Sequence, residues 1–390
     1  MKLSKMLLGV AAGVALMASP ALSADAVKIG MVTTLSTGAG YLGQDVRDGF
    51  MLAVEEEGGK LGGVPVEVLV EDDGRKPGTG KQLAERFMKR DGAEILTGII
   101  FSNVAGAVVP SVLREDKIYV SPNAGPSLFA GKKCNQNYFV ASWQNDTLHE
   151  AAGAYAKQLG YKKAFILAPN YPAGRDALAG FKREFGGEIV GEVYTKLGQA
   201  DYSAELAQIR DAKPEMVFDF LPGGMGINFL KQYDQGGFKD TTPLVVAAPS
   251  MDAKIMAAVG DAAVGVRSAS HWNHDLDNAA NKKFLAGFNA KYNRVPTVYA
   301  SQGYDTAKLI ASALKAVNGD VSDKEGLRKA LKKADFESVR GKFKFAQNNH
   351  PINDWYSRIV EKQADGTLVN KTVGVVLKDH SDVYAKDCSM

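Results

Sequence analysis

The chain has 390 residues and a formal net charge of +3, with 47 lysine and arginine residues against 44 aspartate and glutamate residues. If a leader of 24 residues is removed, 45 basic residues face 44 acidic ones, a balance of +1. Such near-neutrality argues against nucleic acid or an anionic membrane surface as the main partner. The remaining length is enough for two domains of ordinary size.

The first 24 residues have the pattern of a secretory signal peptide. Lys2 and Lys5 precede an uncharged apolar stretch at residues 6–18, which is too short to span a bilayer, and small residues follow it. We expect cleavage after Ala24 and therefore an exported protein. No later run reaches the roughly 18 consecutive apolar residues that a membrane helix needs.

Short β-rich runs alternate with amphipathic segments at intervals of about thirty residues, which predicts an α/β fold with parallel sheets. In the first part of the chain the predicted elements are strand 27–33, helix 44–57, strand 64–71, helix 78–90, strand 94–100 and strand 118–120. The helix at 44–57 is predicted because the apolar residues Val46, Phe50 and Val54 recur at every fourth position.

The alternation restarts after Phe139. The predicted elements are then helix 147–159, strand 164–168, helix 175–185, strand 188–194, helix 202–211, strand 216–220, strand 244–247, a connecting strand 265–272, and helices 279–292 and 300–317. The last hundred residues do not repeat the alternation, so we expect them to return to two existing lobes. Facing sheets place crevices at the carboxyl ends of their strands, which predicts a ligand cleft between the lobes.

A glycine motif at residues 38–43 matches G-x-G-x-x-G, the dinucleotide fingerprint. Its first glycine lies several residues beyond the strand, and the acids at 71–73 come about thirty residues after the last glycine rather than roughly twenty. We therefore predict a flexible glycine loop that presents Tyr41 to the cleft, and no cofactor.

Ser102 follows a predicted strand and opens an Ala/Val-rich segment. Serine is a preferred N-cap, and the free amides of the first helical turn favour a carboxylate through oriented donors and the helix dipole. An ordinary cap covered by water remains the alternative. The loop at 122–126 also follows a strand, so Asn123, Ala124 and Gly125 are expected at the same crevice, although each is also a common turn residue.

Aromatic residues gather at predicted strand ends and lobe connections, where they could bury a ring or a branched aliphatic tail. They are Tyr41, Phe101, Trp143, Tyr171, Trp272 and Tyr299. Each of them could instead belong to the core.

Cysteine and histidine usage predicts no metal site. Cys134 and Cys388 are expected to form one disulfide in an oxidising compartment, with two free thiols as the alternative. The five histidines lack metal-ligand partners, and we expect them at the surface or the hinge: His149, His271, His274, His350 and His380.

A Gly-x-Ser-x-Gly elbow does not occur, yet an exported oxidoreductase or hydrolase remains the rival class.

The order of the signal peptide, strand 27–33, the 36–43 loop, the 71–73 turn, Ser102 and the 121–122 loop resembles the leucine/isoleucine/valine-binding family. These are type I periplasmic substrate-binding proteins of ABC transporters. The resemblance implies two Rossmann-like lobes, a periplasmic location, a monomer, closure on ligand and delivery to a membrane permease. A sensory role stays open.

The resemblance also implies three hinge crossings, near Ser142, Ser270 and Tyr356. The expected division is residues 1–24 for the signal peptide, 25–142 plus 272–356 for lobe 1, and 143–271 plus 357–390 for lobe 2.

In that family the ligand carboxylate is held by the residue matching Ser102 and by backbone groups matching residues 123–125. The aromatic residues matching Tyr41 and Tyr299 pack on the ligand. From the second lobe, the candidate ligand contacts are Tyr171, Arg175, Pro222 and Ser250. Arg175 could make a charge-assisted bond to the ligand, with a solvated surface arginine as the alternative.

This sequence departs from the family where a ligand amino group should be held. A family threonine aligns with Gly125, and the family's acidic partner aligns near residues 248–250, with Asp252 the nearest acid. A buried ammonium without a partner costs several kcal/mol. We therefore predict a carboxylate without an α-amino group, favouring an aromatic acid of benzoate or phenylpropanoid type. A branched-chain or other amino acid is the alternative if Asp252 reaches the ligand.

Overall fold

A computed structural model describes residues 26–390, so the predicted signal peptide lies outside the described residues. The first elements are β1 (Val27–Thr33), α1 (Gly40–Glu56), β2 (Lys60–Leu61), β3 (Val64–Asp72), α2 (Pro77–Lys89), β4 (Ile95–Thr97), α3 (Ser102–Arg114), β5 (Ile118–Ser121) and β6 (Tyr138–Val140). Their strands form one sheet in the order β2-β3-β1-β4-β5-β6, in which β2 alone is antiparallel to its neighbour. This sheet with its helices is the first lobe.

The second lobe repeats the alternation around another sheet. Its elements are α4 (Asn145–Gln158), β7 (Lys163–Pro169), α5 (Pro172–Phe185), β8 (Glu188–Thr195), α6 (Ser203–Ala212), β9 (Met216–Asp219), α7 (Gly224–Gln235), β10 (Val245–Ala247), α8 (Ala253–Val259) and β11 (Arg267–Ser270). Strands β8, β7 and β9 run parallel, and a parallel bridge from Val217 to Leu244 continues the sheet towards β10 and β11.

The last hundred residues return to both lobes, as predicted. They form α9 (Ala279–Tyr292), α10 (Val298–Ala316), α11 (Lys324–Lys333), β12 (Lys344–Phe345), β13 (Pro351–Lys362) and β14 (Leu368–His380). Helix α10 packs along α1 in the first lobe, whereas β13 pairs with β11 and β14 in the second. The long β13–β14 hairpin was not predicted.

The chain crosses between the sheets after β6, after β11 and along β13, and one cluster joins the three crossings. The His271 ring lies 5.0 Å from the Trp143 ring and 5.6 Å from the Trp355 ring, measured between centroids. The buried Arg340 guanidinium donates to the Ser142 carbonyl oxygen at 2.8 Å. The hinge is therefore packed and hydrogen-bonded rather than a set of loose linkers. The lobe boundaries given above remain a prediction.

Cys134 and Cys388 form a disulfide, which confirms that prediction, with 5.7 Å between their Cα atoms. The bond ties the end of the chain to the loop before β6. The nearby Tyr384 hydroxyl donates to Asp146 at 2.7 Å, so the tail also contacts the second lobe. Among residues 26–390, no helix is both long enough and apolar enough to cross a membrane.

The glycine motif does not form a flexible loop, so that prediction is wrong. Helix α1 begins at Gly40, and the motif supplies its first turn. A Cβ at Gly43 would overlap the carbonyl oxygen of Thr34, and one at Gly40 would approach that of Leu35. The glycines therefore allow the start of α1 to pack against the backbone that follows β1.

Candidate ligand-binding site

A small cavity lies between the two lobes. Residues from the first lobe, the hinge and the second lobe line it. They are Leu42, Ile100, Phe101, Ser102, Asn123, Ala124, Trp143, Asn145, Leu148, His149, Tyr171, Ala173, Phe220, Pro222, Pro249 and Tyr299.

The amino-terminal ends of several helices meet at this cavity. Lining residues stand in the first turn or at the cap of α1, α3, α4, α5 and α10. Each of these ends carries a partial positive charge and amides without intrahelical acceptors. The set of lining residues contains no aspartate, glutamate, lysine or arginine, although Asp176, outside the lining, accepts from Asn145 Nδ2 at 3.0 Å. The helix ends favour an anion in the cavity.

Ser102 lies in the first turn of α3 but is not its N-cap, so that prediction is wrong by one residue. Phe101 caps the helix in an extended conformation, and its carbonyl oxygen accepts from the amides of Val104 and Ala105, both at 3.0 Å. The Ser102 hydroxyl oxygen accepts a bond from Asn145 Nδ2 at 3.1 Å. The hydroxyl thus lies at the cavity with its proton free to be donated.

The loop after β5 was expected to offer free backbone groups to the ligand, but its amides are bonded within the protein. Its Ala124 amide donates to the Ile99 carbonyl oxygen at 3.3 Å, and its Gly125 amide donates to Asn145 Oδ1 at 3.2 Å. Both amides are therefore already engaged within the protein. Asn123 Nδ2 is likewise bonded, but its buried Oδ1 has no partner among the described residues.

Gly125 lies against the hinge rather than in the cavity. A Cβ at this position would overlap the carbonyl oxygen of Trp143. The backbone contact leaves no room for a threonine at this position.

Aromatic rings form the walls of the cavity. The Tyr171 ring lies 6.1 Å from Phe101 and is stacked on Phe220, with centroids 6.4 Å apart and planes inclined by 11°. Burial raises the pKa of Tyr171 and Tyr299 well above the ordinary value, so both phenols stay neutral. These walls can bury a ring through apolar contact and stacking.

Tyr41 does not line the cavity but joins the lobes beside it. Its hydroxyl donates to Asp252 Oδ2 at 2.8 Å, while Asp252 Oδ1 accepts from the Ile255 amide at 2.9 Å and caps α8. Burial raises the pKa of the Asp252 carboxyl to about 7. Both carboxylate oxygens are therefore engaged, and Asp252 is outside the cavity lining.

Three other predicted residues also lie outside the lining. Arg175 is exposed and donates to Asn170 Oδ1 at 3.0 Å. The buried Ser250 hydroxyl accepts from the Leu221 amide at 2.7 Å. Trp272 is in the core, where its indole N–H donates to Asn281 at 2.8 Å.

Half of the lining residues were not among the predicted site residues. They are Leu42, Ile100, Asn145, Leu148, His149, Ala173, Phe220 and Pro249. Phe220 directly follows β9, so its position at a strand end could have identified it. The expectation of surface or hinge histidines is wrong for His149 and for His350, which are both buried. No cluster of three potential metal ligands occurs within residues 26–390.

The sequence model of a family described as "Periplasmic binding protein" matches residues 26–366. The chain belongs to this family. Its two α/β lobes, three crossings and central cavity are the architecture that the resemblance implied, so the predicted fold class is confirmed.

Relatives of this periplasmic binding protein cover nearly its whole length. "Leu/Ile/Val-binding protein homolog 6" of Brucella melitensis is 29% identical over 370 residues, covering 92% of this chain and 93% of the relative. A solved solute-binding protein of an R. palustris ABC transporter, in complex with benzoate, is 31% identical with a TM-score of 0.87, covering 92% and 98% of the two chains. Another from R. palustris, in complex with 4-hydroxybenzoate, is 30% identical with a TM-score of 0.86, covering 92% and 99%.

Proposed function

We propose that this protein is the periplasmic solute-binding component of an ABC importer and that its lobes close over an aromatic acid of benzoate or phenylpropanoid type. The ligand is released unchanged to a membrane permease, so the protein is not an enzyme, and it acts as a monomer. The observation that carries the proposal is the cavity itself. Helix amino termini meet there, aromatic rings form the walls, and the lining has no acidic side chain.

Ser102 holds the ligand carboxylate in this proposal. Its hydroxyl accepts from Asn145 and can donate to an anion, and the first amides of α3 point from the same turn. A hydrogen bond to a charged group contributes about 1.5–3 kcal/mol. The surrounding helix dipoles add to this without any arginine or lysine.

The absence of an ammonium partner in the lining separates aromatic acids from amino acids. Asp252 is the acid closest in sequence to the position where the family holds the amino group, and its two oxygens accept from the Tyr41 hydroxyl and the Ile255 amide. An ammonium in the cavity would face positive helix ends and cost several kcal/mol. The two R. palustris relatives with single-ring acids support the same choice.

A branched-chain amino acid is the second candidate, favoured by the name of the Brucella relative. It requires Asp252 to leave Tyr41 and turn towards the ligand. That movement would break the inter-lobe bond at 2.8 Å, so it works against closure.

Closure follows from contacts made only when the lobes approach. Open and closed forms interconvert, and a ligand that touches both lobes stabilises the closed form by its differential affinity. Ser102 and Tyr299 would contact the ligand from the first lobe, and Tyr171 and Phe220 from the second.

The test is calorimetric titration and thermal melting with benzoate, a phenylpropanoid acid, leucine and NAD. We expect one-to-one binding of an aromatic acid that is recovered intact. The Ser102→Ala variant should lose roughly ten- to hundredfold in affinity, by loss of one charge-assisted bond. The control is Ser111→Ala in the same helix, whose hydroxyl bonds only the Val108 carbonyl and lies outside the lining. Binding of leucine alone, or consumption of the ligand, would contradict the proposal.

A further inference from the structure

His149 is a buried histidine in α4 that lines the cavity. Among residues 26–390 its Nδ1 atom has no hydrogen-bond partner. Burial lowers the pKa of the ring to about 3, so the imidazole is neutral and carries one donor and one acceptor nitrogen. Buried polar atoms are nearly always bonded, and an exception in a ligand cavity calls for an explanation.

The neighbouring side chains hold the His149 ring in place without hydrogen-bonding to its Nδ1 atom. His149 packs edge-on against Phe220 and Phe218, with centroids 4.6 Å and 5.8 Å away. The imidazole is thus oriented by apolar contacts alone. The ring therefore lines the cavity with hydrogen-bonding capacity that the described residues do not use.

The position of His149 along α4 sets its distance from Ser102, where the proposed ligand carboxylate binds. Asn145, which bonds the Ser102 hydroxyl at 3.1 Å, lies one turn earlier on the same helix face. Four residues of helix advance by about 6 Å. That advance is comparable to the width of a benzene ring with substituents at opposite positions. A ring whose carboxylate is at Ser102 would therefore bring its far side near His149.

We infer that His149 determines specificity by hydrogen-bonding a hydroxyl group on the ring of the bound aromatic acid. The inference rests on the proposed function and narrows it to hydroxylated aromatic acids. A phenolic hydroxyl supplies both a donor and an acceptor, so either tautomer of the neutral imidazole can pair with it. A site built to bond a hydroxyl discriminates strongly against the analogue that lacks one, because its own polar atom is then left unpaired.

The experiment measures dissociation constants of benzoate, 3-hydroxybenzoate and 4-hydroxybenzoate by calorimetry at neutral pH. The wild-type protein should bind one of the hydroxylated acids at least tenfold more tightly than benzoate. His149→Phe keeps an aromatic ring and removes both nitrogens, so it should lose this preference while still binding benzoate. His380→Phe is the control, since His380 pairs with Glu150 outside the cavity lining and should leave the ranking unchanged.

The wild-type ranking can overturn the inference even if a variant fails to fold. Benzoate bound as tightly as both hydroxylated acids would overturn this inference and leave the proposed function standing. An unchanged preference in His149→Phe would overturn it as well, since the ring would then act by packing alone. If none of the three acids or a phenylpropanoid binds, the proposed function fails together with the inference.

Discussion

We expect Asp252 to make ligand affinity dependent on pH, and the Asp252→Asn variant should remove that dependence. In the closed form the carboxyl is buried and accepts the Tyr41 hydroxyl across the lobes. Burial raises its pKa to about 7. When the cleft opens, the carboxyl gains water and keeps the Ile255 amide, so its pKa should return to the ordinary range near 3.9 or below.

The sign of the effect follows from the raised pKa of the closed form. Closure takes up a proton, so the stabilisation is complete below the ordinary pKa and is lost as the pH rises through about 7. Between these limits each pH unit changes the free energy of closure by about 1.4 kcal/mol, or about tenfold in affinity. The total loss between pH 4 and pH 7 is at most about 4 kcal/mol.

The assay is calorimetric titration with an aromatic acid from pH 5.5 to 8, repeated in buffers of different ionisation enthalpy to count protons. The wild-type affinity should fall with rising pH and level off above pH 7, with proton uptake on binding. In Asp252→Asn the side chain is neutral throughout, so both effects should vanish. Asp365→Asn, in the exposed hairpin turn, is the matched control. An affinity that rises with pH, or a variant with the wild-type slope, would refute the reasoning.

Two further substitutions test the packing around the site. Gly125→Ala should lower the free energy of unfolding by about 1–3 kcal/mol and weaken ligand binding, because the new Cβ overlaps the Trp143 backbone. The control is Gly106→Ala, whose new Cβ has no atom within 4 Å and which should be neutral or stabilising. Thermal melting and ligand titration measure both variants. Replacing Cys134 and Cys388 by serine should lower the free energy of unfolding by about 2–5 kcal/mol. Ligand affinity should change little, since neither residue lines the cavity. A variant that keeps its stability but loses ligand affinity would contradict this prediction.

The alternation of strands and helices could be predicted because each element carries its own hydrophobic pattern. Strand β1 and helix α9 are located where the periodicity places them. The β13–β14 hairpin could not be predicted as part of the second sheet, since its pairing with β11 joins residues about ninety positions apart. Local pattern does not encode that register.

The same distinction between local pattern and long-range packing separates the site residues that could be predicted from those that could not. Phe101 and Asn123 reach the cavity because carboxyl ends of neighbouring parallel strands meet at one edge of a sheet. Asn145 and His149 lie on a helix whose inward face depends on how the second lobe packs, so their spacing alone carried no distinctive pattern. Tyr41 stands beside the cavity because α1 begins earlier than the hydrophobic periodicity indicates.

The architecture also offers a way to hold an anion without a charged side chain in the cavity lining. In each β-α unit the carboxyl end of the strand adjoins the amino end of the next helix, so facing lobes bring several positive helix ends to one cavity. In the proposed function an anion would then be stabilised without a cation in the lining, and Arg175 is exposed outside it. Because this field acts on any small anion, selectivity in the proposed function would come from the neutral groups around the anion. Ser102, Asn145 and His149 are such groups in the lining, and in this proposal the aromatic rings set the shape of the ligand.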